Sequence, residues 1–341
     1  MNEYNRVRYW VEELPKRGRT TFSLKEAEDQ FSEKPSSSVR RALARLSDTG
    51  KVHSVWRGFY AISLPEYGLD GVAPPIDYID QLMRYLGKKY YVALLTAASF
   101  SGASHQASHS FYVICDSNLH AKDKNGVKLE PVFKKKMPDN YISRINSRSA
   151  SVRISTPELT AIDLVVYMKR AGGINHVATV LGELAESLDF RRVDTTFFNG
   201  VSAASIQRLG YLLDETLGEK DAADHLYEKA KQVGYNFKFI PLVIRKDSNI
   251  PIINKNTKWG IGAWIETLPP LYATMAFPWS HLAQVRGLKQ ASDGHTKPAW
   301  LVAPRAGAWI ETQPSIDFLP YPASHLAQVR GLKRGTRKNL S

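Results

Sequence analysis

The chain contains a single cysteine, Cys115, so no internal disulfide can staple it, and a disulfide-scaffolded fold is excluded. Cys115 sits in the apolar run SFYVIC, where a buried strand thiol is the expectation. No run of about eighteen apolar residues occurs, which excludes an ordinary transmembrane helix. The start, MNEYNRVRYW, lacks the apolar core of a signal peptide. A cytoplasmic protein with no membrane partner is therefore expected. A Gly-rich phosphate loop and a Gly-x-Ser-x-Gly elbow are missing as well. Acidic residues are in deficit, 33 Asp and Glu against 46 Lys and Arg, for a net charge of +13.

Catalysis finds little support in what remains. His105 and His109 have the spacing of two metal ligands on a helix, with Asp116 and His120 nearby in sequence. The preceding Gly102-Ala103-Ser104 reads as a loop, however, and the glutamate that follows the first histidine in zinc proteases is missing. Hydrogen-bonded structural histidines are the expectation, and neither a metal nor another cofactor is expected. A restriction-type nuclease would need an acid on one strand and Glu-x-Lys on the next. Asp116 and Glu130 fit loosely, but Pro131 and Val132 follow Glu130, so the lysine is lacking. No enzymatic activity is expected.

What the chain does contain is, first, a segment with the order of a winged helix-turn-helix between Ser23 and Ser63. A helix capped by Ser23 (LKEAEDQF) leads through a Pro-Ser turn to a second helix (SSVRRALARLSDTG) and a hairpin (KVHSVWRGFYAIS). In the second helix Val39, Ala42, Leu43 and Leu46 recur at i, i+3, i+4 and i+7, the stripe of a helix packed on a core. At about 100° per residue the opposite face carries Ser37, Arg41, Ala44, Arg45 and Asp48, with Arg40 on the flank. Small and cationic residues on one helix face suit the major groove, where arginine reaches guanine edges or phosphates. Gly50 reads as a left-handed cap, and Arg57-Gly58 as the tip of a wing. Lys51, His53 and Arg57 complete the set expected to meet duplex DNA. The competing reading is a protein-interaction module with a solvated basic face.

The charge is unevenly spread: +3 over residues 1–68, +4 over 69–150, zero over 151–257 and +6 over 258–341. The last quarter is unusual in another way. GAWIET occurs at Gly262–Thr267 and Gly307–Thr312, and SHLAQVRGLK at Ser280–Lys289 and Ser324–Lys333. The DNA string GGTGCGTGGATTGAAAC encodes Gly-Ala-Trp-Ile-Glu-Thr from its first base and Val-Arg-Gly-Leu-Lys from its second. Both peptides are therefore accounted for by one nucleotide repeat read in two frames, spaced by roughly 65–68 bases. A protein repeat selected for packing would keep its frame. VAPRAGAWIET resembles a translated palindromic repeat from a clustered, regularly interspaced (CRISPR) array. The reading frame is thus expected to leave its own gene near Ile261, giving a non-native, disordered tail over 258–341 whose charge is not a designed surface. A duplicated β-arm is the alternative.

The middle reads as a mixed α/β domain over 69–257, entered through the linker LDGVAPP. Helices are expected at Ile76–Leu86 and Tyr90–Ser101, and strands at SHSFYVICD and VKLEPVFKKK. Thr156-Pro157-Glu158 is a strong helix start, with Leu159, Ile162, Val165 and Val166 facing inward. Gly172-Gly173 breaks that helix. Further helices follow at Asn175–Ser187, Ala203–Leu217 and Lys220–Gln232, and NFKFIPLVIR reads as a closing strand. Lys134, Lys135 and Lys136 follow the second strand; they read either as a solvated loop or as secondary phosphate contacts, or contacts to an acidic or RNA-bound partner. Tyr90 and Tyr91 beside Lys88 and Lys89 read as half-core or as a stacking site for single strands.

The stretch YYVALLTAASFSGASHQASHSFYVI (Tyr90–Ile114), directly behind a wing reading WRGFYAIS, resembles the AbiE-type (AbiEi) antitoxin family of type IV toxin–antitoxin systems. STPELTAIDLVVYMKRAGGINHVATVLGEL (Ser155–Leu184) is similar to the C-terminal domain of that family. The resemblance spans about residues 1–257 and implies an α+β architecture: a winged helix-turn-helix over 1–68, then a mixed α/β, largely helical C-terminal domain. It implies that the first domain binds double-stranded operator DNA and represses its own operon, with Ser37, Arg40, Arg41 and Arg45 on the recognition helix and Arg57 on the wing. It implies further that the second domain counteracts a cognate nucleotidyltransferase-like toxin, in the context of abortive phage infection. A stand-alone winged-helix regulator whose second domain senses a ligand or partner is the alternative.

Overall fold

The computed structural model describes residues 3–67, 71–103, 110–124, 127–243 and 254–263. All of these lie in the first of two compact units, residues 1–282. The architecture is α+β.

The N-terminal part consists of α1 (Glu3–Glu13), β1 (Thr21–Ser23), α2 (Leu24–Gln30), α3 (Ser36–Asp48), β2 (Val52–Trp56) and β3 (Phe59–Ile62). The strands form an antiparallel sheet of order β1-β3-β2, the arrangement of a winged helix-turn-helix. Ser23 closes a capping box on α2: its hydroxyl accepts from the Glu26 N–H, and the Glu26 carboxylate accepts from the Ser23 N–H at 2.8 Å. The apolar stripe of α3, Val39, Ala42, Leu43 and Leu46, is buried. Its core neighbours include Val7, Val11 and Leu14. Val7 and Val11 come from α1, and Leu14 directly follows it. Their spacing of four and three residues is helical, but the stripe is one residue wide and surrounded by charge.

The second part is built on a six-stranded sheet of order β6-β7-β5-β4-β9-β8. Its strands are β4 (Tyr90–Val92), β5 (Ser110–Cys115), β6 (Lys122–Lys124), β7 (Val127–Phe133), β8 (Ile142–Asn146) and β9 (Ser151–Ser155). The β5–β7 and β4–β9 pairs are parallel and the rest antiparallel. The helices are α4 (Pro75–Leu86), α5 (Leu94–Phe100), α6 (Pro157–Val166), α7 (Ile174–Leu184), α8 (Ala203–Tyr211) and α9 (Lys220–Gln232), with a π-helical turn, Leu212–Leu217, prolonging α8. A small sheet of β10 (Ile240–Pro241), β12 (Ile261–Ala263) and β11 (Asn254–Asn256) closes the fold.

One face of the large sheet packs with α4 and with Val55, Phe59 and Ala61 of the wing strands in a shared core. The other face packs against α5 to α9. The wing strands and the second part therefore bury each other rather than forming separate cores.

Four expectations are corrected. Tyr90–Val92 is a strand, not the first turn of a helix. Tyr90 and Val92 point into the core shared with the wing and Tyr91 into the helical core, so both faces are apolar and the period-2 signal vanishes. Val166 is 44% exposed, since α6 ends there. Among its described residues NFKFIPLVIR contributes the two-residue strand β10, which pairs in parallel with β12 through the Ile240 and Leu242 N–H groups donating to the Gly260 and Gly262 carbonyls. Finally, the ordered core runs past residue 257. Trp259, Ile261 and Ala263 are fully buried, so the first two residues of the repeat-like tail, Gly262 and Ala263, belong to β12. The rest of that tail, and His105 and His109, lie outside the described residues.

Candidate nucleic-acid interface

Helix α3 places Ser37, Arg40, Arg41, Ala44, Arg45 and Asp48 on its exposed face. The helix ends through Gly50, which sits at φ 68°, with the Lys51 N–H donating to the Leu46 carbonyl at 2.9 Å. The cations are not equivalent. Arg40 donates to Glu28 on α2 and to Ser36 Oγ, both at 3.1 Å, and Ser36 also donates to that carboxylate. These contacts hold the Glu28 carboxyl below its usual range, Ser36 first and Arg40 second. Arg40 therefore braces the two helices of the motif. Arg41 donates to the Ser37 carbonyl one turn back at 3.3 Å, which lays its guanidinium along the helix face. Arg45 lies in the last turn, where a cation complements the helix dipole.

Lys51 and Arg57 are exposed, and His53 is half-buried on β2 with its Nε2 shielded from solvent. His53 is thus part of the wing's packing rather than of its outer surface. The wing tip, Arg57-Gly58, is held from the second part of the molecule. The Tyr85 hydroxyl on α4 donates to the Arg57 carbonyl at 3.2 Å, and its ring packs on Phe59 at 5.2 Å. A Cβ at Gly58, which sits at φ 72°, would fall 2.8 Å from the Tyr85 oxygen. The Leu24 N–H also donates to the Gly58 carbonyl. Lys122 of β6 places its ammonium 5.3 Å from the Trp56 ring centroid. Tyr85 and Lys122 lie far from the motif in sequence, and no local signal pointed to them.

In the second part, the three-lysine run is divided. Lys134 turns inward and pairs with Asp163 of α6 at 2.8 Å, while Tyr91 donates to the other carboxylate oxygen at 2.8 Å. Asp163 is fully buried. Burial pushes its carboxyl pKa up, against the opposing pull of Lys134 and Tyr91. Lys134 is therefore a structural cation, not a phosphate contact. Lys135 and Lys136 remain exposed. Tyr90 and Tyr91 are buried and offer no stacking platform. Cys115 is buried, with its thiol donating to the Ser117 carbonyl. Among the described residues no group of His, Cys, Asp and Glu is arranged to hold a metal ion, and no helix is long and apolar enough to cross a membrane.

The sheet and helices just described are where the chain meets a known family. Residues 91–215 match the family model of the AbiEi antitoxin C-terminal domain. The match supports the AbiEi family for this chain; it begins inside β4, takes in the Asp163 ion pair and ends in the π-helical turn. Among solved structures, the chain is similar to the crystal structure of the RV2827C protein from Mycobacterium tuberculosis, with a TM-score of 0.54 at 13% identity, over 77% of this chain and 93% of that one. At that identity the likeness concerns the fold. No curated protein matches the chain.

Proposed function

We propose that the protein is the antitoxin of a type IV toxin–antitoxin system, acting in abortive phage infection. The observation that carries this reading is the AbiEi-domain match over residues 91–215, directly behind a winged helix-turn-helix whose α3 exposes Arg40, Arg41 and Arg45.

In this reading α3 enters the major groove of operator DNA, with Ser37, Arg41 and Arg45 reaching bases or phosphates and Lys51 and Arg57 contacting flanking backbone. Bound across promoter elements, the protein excludes polymerase and represses its own operon in the cytoplasm. Affinity falls with salt, because phosphate contacts release counterions. The second domain counteracts a nucleotidyltransferase-type toxin without catalysis of its own. Residues 264–341 take no part, being the translation of a CRISPR-like repeat array.

The test is co-expression of the neighbouring gene product with residues 1–263 of this chain, scoring growth. Rescue of a toxic neighbour by the shortened chain supports the antitoxin reading and the dispensability of the tail. A neighbour that is not toxic, or is not rescued even by the full chain, overturns it in favour of a stand-alone winged-helix regulator.

A further inference from the structure

A second basic feature lies away from the winged helix, at one end of the large sheet. Arg144 on β8 and Arg153 on β9 are direct cross-strand partners in the antiparallel pair. Directly opposed residues put their side chains on the same face, about 5 Å apart at Cβ, and like charges in that position destabilise the sheet. Both arginines line a cleft of about 570 Å³, together with Lys89 and Lys135. Among the described residues, none of these four cations has a carboxylate within ion-pair distance. The contrast with Lys134 is direct: one residue away from Lys135, it is fully paired with Asp163.

Four cations, outnumbering the two acids of the lining and none within ion-pair distance of a carboxylate among the described residues, converge on one concavity. Two of them stand in a juxtaposition that costs stability, so the cleft favours an anion. The remaining lining narrows the class. Asp116 and Asp139 also border the cleft, as do Met137 and Ile142. A bare inorganic anion would gain nothing from the two carboxylates or the apolar pair. A nucleotide uses all three: phosphates against the cations, ribose hydroxyls or base amino groups donating to the carboxylates, and the sugar or base over Met137 and Ile142.

We propose that this cleft is a nucleotide-phosphate site, occupied by a free nucleoside triphosphate or by a terminal nucleotide of single-stranded RNA. No residue of the winged helix takes part, so the site stands or falls independently of operator binding.

The experiment is binding to the full-length chain, by calorimetry for ATP, GTP, CTP and UTP and by fluorescence anisotropy for a short 5′-phosphorylated single-stranded RNA. Each is repeated with Arg144→Gln, Lys135→Ala and, as a control outside the cleft, Lys128→Ala. Lys135 lies in an exposed loop, so its variant tests the site even where Arg144→Gln perturbs the sheet. The proposal expects binding of at least one of the two ligand sources, weakened about tenfold or more by Arg144→Gln and Lys135→Ala and unchanged by Lys128→Ala. Binding of triphosphates alone identifies the free nucleotide as occupant, and binding of RNA alone identifies the chain end. No binding of either source up to millimolar concentration overturns the proposal, as does binding that both cleft variants leave intact. Weakened binding of operator duplex by the cleft variants, with no nucleotide or RNA binding, would overturn it too and assign the cleft to the DNA footprint.

Discussion

The indole of Trp259 lies against the backbone of Gly210 on α8, so close that a Cβ there would fall 2.2 Å from two ring carbons. The ring also packs edge-on against Tyr227 at 5.3 Å, and its Nε1 donates to Asp214 at 3.0 Å. Lys258 bridges Asp214 and Asp224 at 2.6 Å each, and the Gln207 amide donates to the carbonyls of Lys238 and Trp259. Lys258 and Trp259 are thereby locked onto α8, the π-helical turn and α9. Trp259→Ala is expected to cost about 3–5 kcal/mol, and Gly210→Ala to destabilise by forcing the indole out of its seat. A chain ending at residue 257 should melt well below one ending at 263, and the latter should melt with the full-length protein. Thermal melts of the three lengths decide this.

The Asp163–Lys134–Tyr91 cluster predicts a strongly asymmetric mutant series. Lys134→Met leaves a buried carboxylate without its cation and is expected to cost about 3–5 kcal/mol in urea unfolding. Combining it with Asp163→Leu should recover much of that loss, because the desolvation cost of both ions disappears together. A double variant as unstable as the sum of the single ones would show that the pair does not act as a unit.

Gly58 and Tyr85 form a second close approach, at the wing. Gly58→Ala places a Cβ both at positive φ and against the Tyr85 oxygen, and should cost about 1–2 kcal/mol for the backbone alone. Adding Tyr85→Phe removes the obstructing hydroxyl and should recover part of the loss. An operator titration run alongside would report whether a loosened wing also weakens DNA binding, as the proposed function requires.

Under the proposed function, the arginines of α3 should separate by role. Arg41→Ala is expected to cost about 1–3 kcal/mol in operator affinity and to relax sequence preference. Arg40, paired with Glu28, should matter less for affinity and show in the melting temperature instead. Unchanged operator binding by the Arg41 variant in a mobility-shift titration would remove α3 as the reader.

The tyrosines set the alkaline limit of the fold. Burial first, with help from Asp77 for Tyr67 and Asp163 for Tyr167, pushes both phenols from 10.0 up to about 12. Tyr78, Tyr90 and Tyr91 move further in the same direction for the same leading reason, and burial also raises the Cys115 thiol. A raised folded pKa means the folded state holds its proton longer than the unfolded chain. The stability is therefore fully present below pH 10 and is lost as pH climbs toward 12. Melting temperatures should be flat with respect to these groups up to about pH 9 and fall steeply above pH 10, with a step in tyrosinate absorbance that coincides with unfolding.

The chain's own pattern determined the parts of the molecule whose periodicity is local. The four-residue stripe of α3 and the Ser23 and Thr156 caps each depend on contacts within a turn or two, so residue spacing alone carries them. The GAWIET copies at Gly262 and Gly307 are likewise legible in the sequence alone. Tertiary structure decided the rest, because there the determining contact lies far away in the chain. Tyr90–Val92 is a strand because two cores claim its two faces. Lys134 turns inward, half-buried, because the buried Asp163, twenty-nine residues later, pairs with it, while its neighbour Lys135 stays at the surface. The wing is held by a tyrosine from the next domain, and the Arg144–Arg153 opposition exists only in the register of one strand pair. Local sequence sets which conformations a segment favours, but the cost of burying a charge, or of opposing two, depends on which distant residues the fold brings alongside.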